Sequence, residues 1–215
     1  AATLSRLRLD WHAPSAPAKV EWKTPVVEEA ERVMFEWVGD TLRHAGVVAH
    51  RYLQMIGKEG IDHWDAARVA AVRDRIRRAV ASEGVPPSEC AVAAEIVEDA
   101  LRRAIEDPRG RWLLANHTEA ETESAWTGVL DGRLVRARVD RTFVDSDGVR
   151  WIVDFKTSSH EGSDVDGFLD NELERYRGQL ERYGRLMAMR DGGGRRVKVG
   201  LYFPLLRGWR EWQVG

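Results

Sequence analysis

The chain has 215 residues, 33 Lys plus Arg against 35 Asp plus Glu, a formal charge of -2, and 43% hydrophobic residues. At about 150 residues per domain this allows one domain with an appendage or two small ones, with a core burying roughly 70% of the unfolded surface, and it excludes a disordered tail. The near-cancelling charge also argues against a uniformly basic nucleic-acid wrapper, so any anion site is local.

Residues 1–40 read as a linker packed on something larger, with Pro14, Pro17 and Pro25 among isolated apolar residues such as Trp11, Val20 and Trp22. From Thr41 to Met55 helical spacing sets in through Leu42, Gly46, Ala49, Leu53 and Ile56, and Gly57 and Gly60 end it. A second helix, capped by Asp62 with Asp65 three residues on, buries Val69, Val72, Ile76 and Val80 and stops at Gly84. After Pro86 and Pro87, Ser88 caps a third helix with Val92, Ile96, Val97, Ala100, Leu101 and Ala104 on one side, closed by Asp107-Pro108.

The pattern then changes to strands at Glu119 to Val129, Leu134 to Val144 and Gly148 to Thr157. The turns Asp131-Gly132 and Asp145-Ser146-Asp147-Gly148 are short, which imposes an antiparallel meander. A long helix over Phe168 to Arg190, with Leu173, Tyr176, Leu180, Tyr183 and Met187 as its stripe, ends at Gly192-Gly193-Gly194. Val197 to Phe203 is a fourth strand, returning by way of a helix and therefore parallel to its neighbour, and Trp209 to Val214 adds an edge strand. The fold class is α+β: a helical part over 41–115 against a mixed sheet over 116–215.

Alternation places side chains on these strands. Val135, Ala137, Val139 and Phe143 form an apolar face, while Arg136, Arg138 and Asp140 turn away from it. On the next strand Asp154 and Lys156 share a face within the otherwise apolar run WIVDFKT. A carboxylate there needs a partner, since an isolated buried charge must neutralise or pair. Lys156 is one such partner and a cation is another. Two carboxylates on adjacent strands, Asp140 and Asp154, suit Mg²⁺ or Mn²⁺, which prefer oxygen ligands.

The segments VDRTF and WIVDFKTS, with 13 residues between Asp140 and Asp154, resemble the active-site motifs of the PD-(D/E)XK nuclease superfamily. GVVAHRYL resembles its helical Gly-x-x-x-His motif, and QLERY, Gln179 to Tyr183, its QxxxY motif. These four ordered motifs span about 140 residues and are most similar to the RecB/AddA-type nuclease domain at the C-terminus of UvrD-like helicases.

The resemblance implies a restriction-endonuclease-like αβββαβ core and a metal site made by Asp140, Asp154, the Phe155 carbonyl and His50. Lys156 would orient or activate the attacking water, and Gln179, Tyr183, Arg175 and Arg182 would contact DNA or support the site. The family places a further acid on the strand before Asp140; Glu119, Glu121 and Glu123 all read onto one face, and Glu123 is chosen because it falls nearest the hairpin partner of Asp140. A shift of two residues would favour Glu121.

The resemblance further implies Mg²⁺- or Mn²⁺-dependent hydrolysis of DNA, exonucleolytic rather than endonucleolytic, in double-strand-break repair or recombination. The setting would be the bacterial cytoplasm, with an upstream helicase motor in the intact chain and a second subunit as a further candidate partner. The absence of an initial Met fits a fragment of such a protein.

Other chemistries find less support. Cys90 alone can form neither an internal disulfide nor a four-thiolate iron–sulfur cluster, and it fits a reducing cytosol. His12, His44, His63, His117 and His160 show no zinc spacing. Gly57-Lys58 is followed by Glu59 and preceded by Tyr52 where a phosphate loop needs Gly, and no apolar run is long enough to span a membrane. Arg136, Arg138 and Arg141 with Arg175, Arg177, Arg182 and Arg185 suggest a phosphate-binding strip, although such arginines are usually solvated. The alternative function is a catalytically silent nuclease fold that holds DNA or docks a subunit; the presence of both acids and the lysine weighs against it.

Overall fold

The computed structural model describes residues 40–158 and 162–215, with Asp10, His12 and the backbone of residues 27–28. Most of the predicted linker, including Trp11, Pro14, Pro17, Val20, Trp22 and Pro25, lies outside the described residues, as does His160. Within that stretch Val27–Glu28 form a strand, β1, that pairs parallel to a later one. Two residues are too few for period-two alternation to register.

The first helix, α1 (Asp40–Glu59), follows the predicted spacing. The second is broken into a 3-10 turn (Ile61–His63), α2 (Ala66–Ala71) and α3 (Arg73–Ser82). Its cap is Asp65 rather than Asp62: the Asp65 side chain accepts the Arg68 N–H at 2.7 Å, one of the donors a helix start leaves unpaired. The third helix, α4 (Cys90–Glu106), starts two residues after Ser88 with no side-chain cap, and Val92 faces solvent. Asp107-Pro108 ends α4 and also begins α5 (Pro108–Leu114). The Asp107 side chain accepts the Arg109 N–H, and Pro108 occupies the first helical position, where a missing N–H is harmless.

The strands are β2 (Thr118–Leu130), β3 (Arg133–Val144), β4 (Arg150–Phe155), β5 (Val197–Phe203) and β6 (Gly208–Gln213), with α6 (Val165–Arg190) between β4 and β5. β2, β3 and β4 form the antiparallel meander, β4 and β5 pair in parallel, and β6 adds an antiparallel edge, so the sheet is mixed as predicted. In the turn between β3 and β4, Asp145 accepts the N–H groups of Asp147 and Val149 and the Trp151 indole N–H, which makes that acidic tetrapeptide a hairpin turn.

Two apolar layers sandwich the sheet. On one face α1, α3, α4 and α5 pack over Phe143, Trp151, Val153, Phe155 and Tyr202. On the other α6 packs over Val135, Ala137, Val139, Ile152, Val199 and Leu201. Each fully buried aliphatic side chain contributes about 1.5–3 kcal/mol, so both layers are needed. Among the described residues no helix is long and apolar enough to cross a membrane.

This division corrects one predicted face. Val139 packs toward α6, whereas Phe143 packs toward the helical cluster, although four residues on one regular strand should share a side. Alternation breaks beside Asp140, where the facing residue on β2, Glu123, has φ 55°. The same left-handed backbone, at Glu119 (φ 50°) as well, separates the three glutamates predicted to share a face. Glu121 reaches Arg190 on α6 and bonds Ser124, Glu119 pairs with Arg150 and Arg195, and Glu123 pairs with Arg138.

Candidate active site

β2 pairs with both ends of β3, so β1 and β4 must share the opposite edge. β1 takes Leu134 and Val135; β4 takes Arg141 to Val144. Asp140 stands where this edge opens. Its Oδ2 accepts the Phe155 N–H at 2.7 Å, so a carboxylate continues the ladder where the main chain stops. Lys156 N–H donates to the Tyr202 carbonyl on β5 at 2.8 Å, so strand alternation turns the Phe155 main chain back toward β3 and leaves its carbonyl on the forked edge.

Helix α1 lies over this fork. His50 Nδ1 is 3.5 Å from Asp140 Oδ2, and its ring meets Phe155 edge-on at 6.4 Å. The approach requires Gly46, one turn earlier: a Cβ there would stand 2.5 Å from Thr157 Oγ1. Glycine at the fourth position before the histidine thus lets the helix rest on the chain just after Lys156. Gly46→Ala should leave stability within about 1 kcal/mol, because better helix propensity offsets a displaced threonine hydroxyl. If α1 positions His50, it should still lower the DNA cleavage that the sequence motifs imply about ten- to a hundred-fold, as displacements near 1 Å do. Thermal unfolding and initial rates measured together would expose the opposite pattern.

On the end of β4, Asp154 Oδ2 lies 2.8 Å from Lys156 Nζ. That oxygen is buried and engages no aligned hydrogen bond. Burial pushes the Asp154 carboxyl above its ordinary range despite the attraction of Lys156. Burial opposes ionisation of Asp140 too, but His50 and the Phe155 N–H outweigh it and hold that carboxyl low. The two acids are thereby split, and the charge of Asp140 adds to the upward push on Asp154; of the pair only Asp140 lines the cleft above the fork. Lys156 stays charged: burial disfavours its ammonium, and Asp154 more than compensates.

Such a donor set suits a hard divalent cation. Two buried carboxylates, one of them held by Lys156, stand beside a strand-edge carbonyl and an imidazole, and positive charge would offset the push of Asp140 on Asp154. Among the described residues no three His, Cys, Asp or Glu side chains gather tightly enough to enclose an ion by themselves. The fit therefore rests on the acid pair with main-chain oxygen, and His50 is engaged with Asp140 instead.

The cleft above the fork has a volume of about 720 Å³ and is lined by His50, Asp140, Phe155 and Lys156, together with Glu123 and Arg138 from β2 and β3. The pairs Thr122↔Arg141 and Ser124↔Val139 bracket Glu123 opposite Asp140. The α1 wall adds Arg43, Arg51 and Gln54, which were not singled out from sequence, although Arg43 and Gln54 fall at helical spacing from His50.

Other predicted residues lie elsewhere. Gln179 donates to the Tyr183 hydroxyl at 2.8 Å on α6, and Tyr183 is buried in the core; neither lines the cleft. Arg175 lies 3.5 Å from Glu172, and Arg182 is half-buried on α6, also away from the cleft. Arg141 is not on a phosphate-binding strip. It is 1% exposed, with its guanidinium spent on main-chain carbonyls of two helix ends. Arg177 pairs with Glu174 and Arg185 with Asp131, so most of the supposed strip is committed to protein partners.

A family model described as the PD-(D/E)XK nuclease superfamily matches residues 27–209. Two solved structures are similar at low identity. One is a candidate exonuclease from Eubacterium rectale, 13% identical with a TM-score of 0.37, where the match covers 71% of this chain and 61% of that one. The other, named SSO0001, is 14% identical with a TM-score of 0.30 and coverage of 79% and 78%. No curated protein matches the chain. The family match spans both acids, the lysine and the whole sheet from β1 to the start of β6, and on that match the chain belongs to the PD-(D/E)XK nuclease superfamily.

Proposed function

We propose that this protein is a divalent-metal-dependent DNA nuclease that hydrolyses phosphodiester bonds at the β3–β4 fork. The observation that carries this reading is the convergence of Asp140, Phe155, Lys156 and His50 on one cleft, with Asp154 and Lys156 ion-paired behind it. Asp140, Asp154 and the Phe155 carbonyl would hold Mg²⁺ or Mn²⁺; His50 would join or orient the set, and Glu123 would approach from β2. A divalent cation bound there lowers the pKa of coordinated water and offsets charge developing on the phosphate.

The chain's own groups do the rest. Lys156 presents an ammonium, kept charged by Asp154, to the non-bridging phosphate oxygens and the attacking water. Arg138 and Arg51 also line the cleft, but each is paired with a glutamate, Glu123 and Glu83, so a phosphate would have to compete for them. The RecB/AddA-like motifs favour an exonuclease working on a strand delivered by an upstream helicase motor during break processing.

Removing metal tests the chemistry. In EDTA, cleavage of single- and double-stranded DNA should fall to background and return with Mg²⁺ or Mn²⁺ but not with Ca²⁺ alone. Cleavage that persists in EDTA, or titration calorimetry showing that Asp140→Asn binds Mn²⁺ as well as wild type, would remove the basis of the reading.

A further inference from the structure

We infer that Tyr176 is a positioning residue: its ring forms the floor on which the Lys156 ammonium is held in line with the cleft. The inference rests on the hydrolytic reading above and adds a component from α6, which was expected to contribute through Gln179 and Tyr183.

Lys156 Nζ lies 3.5 Å from the centroid of the Tyr176 ring, directly over its face, and 2.8 Å from Asp154 Oδ2. A four-carbon side chain carries rotamer freedom that a single ion pair does not remove. Two contacts of different geometry, a carboxylate on one side and a π face on another, leave the ammonium far fewer positions. Tyr176 itself is 2% exposed and fixed among Leu169, Leu180 and Tyr183. The floor is therefore rigid where the lysine is flexible.

The ring, not the hydroxyl, makes this contact. Tyr176 Oη is buried and has no hydrogen-bond partner, as is Glu172 Oε2 one turn earlier on the same helix. A phenol whose hydroxyl is unengaged can lose it at little cost, whereas the π face has no aliphatic substitute. Tyr176→Phe and Tyr176→Leu thus separate floor from filler.

Two readouts are taken on the same proteins. In NMR of the metal-free protein, the Lys156 ε-methylene protons, assigned by their loss in Lys156→Arg, should be shifted upfield by the ring current in wild type and Tyr176→Phe, and unshifted in Tyr176→Leu. In steady-state cleavage with Mg²⁺, Tyr176→Phe should match wild type, while Tyr176→Leu lowers kcat about ten-fold with KM for DNA unchanged. Thermal unfolding identifies any general loosening of the core. A wild-type lysine without the upfield shift overturns the contact. A normal shift with equal kcat in the Phe and Leu variants overturns the positioning role. Absence of cleavage by wild type, with the shift present, overturns the hydrolytic reading and the positioning role with it, but leaves the ring contact standing.

Discussion

Asp154→Asn should reduce DNA cleavage on the order of 10³-fold or more while leaving the protein folded. The carboxylate sits at the end of β4, between core residues Val153 and Phe155 that point to the opposite face, so an isosteric amide disturbs neither apolar layer. It removes one negative charge from a pocket where burial already pushes Asp154 up. It also deprives the buried Lys156 ammonium of its partner; the two effects oppose, so the thermal midpoint without metal should stay close to wild type. The loss would appear in kcat and in metal affinity together, because Asp154 both supplies an oxygen to the cation and holds Lys156 at 2.8 Å. Lys156→Ala should lose comparable activity while retaining metal binding, since the ammonium is no ligand. Measuring Mn²⁺ affinity and cleavage for both variants separates the roles. If Asp154→Asn cleaves at a tenth of the wild-type rate or better, the acid pair is not the reaction centre.

Spacing puts Asp154 and Lys156 side by side, while Gly46 and His50 come from the family resemblance. Asp154 and Lys156 differ by two in an apolar strand run, with Phe155 between them, and the structure puts them in contact. Gly46 and His50 differ by four on a helix, and both meet the end of β4. The sheet order was also legible, because short turns force antiparallel pairs and a helix returns a parallel strand.

What escaped depends on main-chain geometry that the residues do not advertise. Glu123 adopts φ 55° without being glycine or asparagine, and no composition cue marks it. With Glu119 it separates the glutamates, and alternation on β3 breaks beside it, where Val139 and Phe143 face opposite layers. Tyr176 was read only as part of the α6 stripe, because periodicity reports burial and cannot tell which charged group rests on a buried ring. Asp107-Pro108 has the composition of both a helix stop and a helix start, and here it is both.

Arg141 makes the sharpest case, since a third arginine in the run RARVDR reads as one more surface cation. Its Nε donates to the Leu113 carbonyl at 2.6 Å, one Nη to Ala115 O at 2.6 Å, and the other to Gly57 O at 3.2 Å and Thr122 Oγ1 at 3.0 Å. Leu113 lies in the last turn of α5, Ala115 follows that helix, and Gly57 lies in the last turn of α1, so these are carbonyls that helix ends leave unpaired, at the negative end of the helix dipole. Burial pushes the guanidinium pKa down to about 10, which still leaves it charged at neutral pH. A planar fork with five donors can bridge three elements at once; a lysine ammonium acts from one point.

Arg141→Met conserves bulk and removes every donor. It should destabilise the protein by about 3–5 kcal/mol, the range for leaving buried polar partners uncompensated. Against a total stability of about 5–15 kcal/mol that is a large fraction. Arg141→Lys should fall between Met and wild type. Because Asp140 is the preceding residue and Gly57 belongs to the helix carrying His50, the loosening should reach the cleft. Protection of α1 amides from hydrogen exchange should drop before that of β5. Urea denaturation showing Arg141→Met within about 1 kcal/mol of wild type would mean that water replaces the guanidinium at those carbonyls, and that the helix ends do not depend on it.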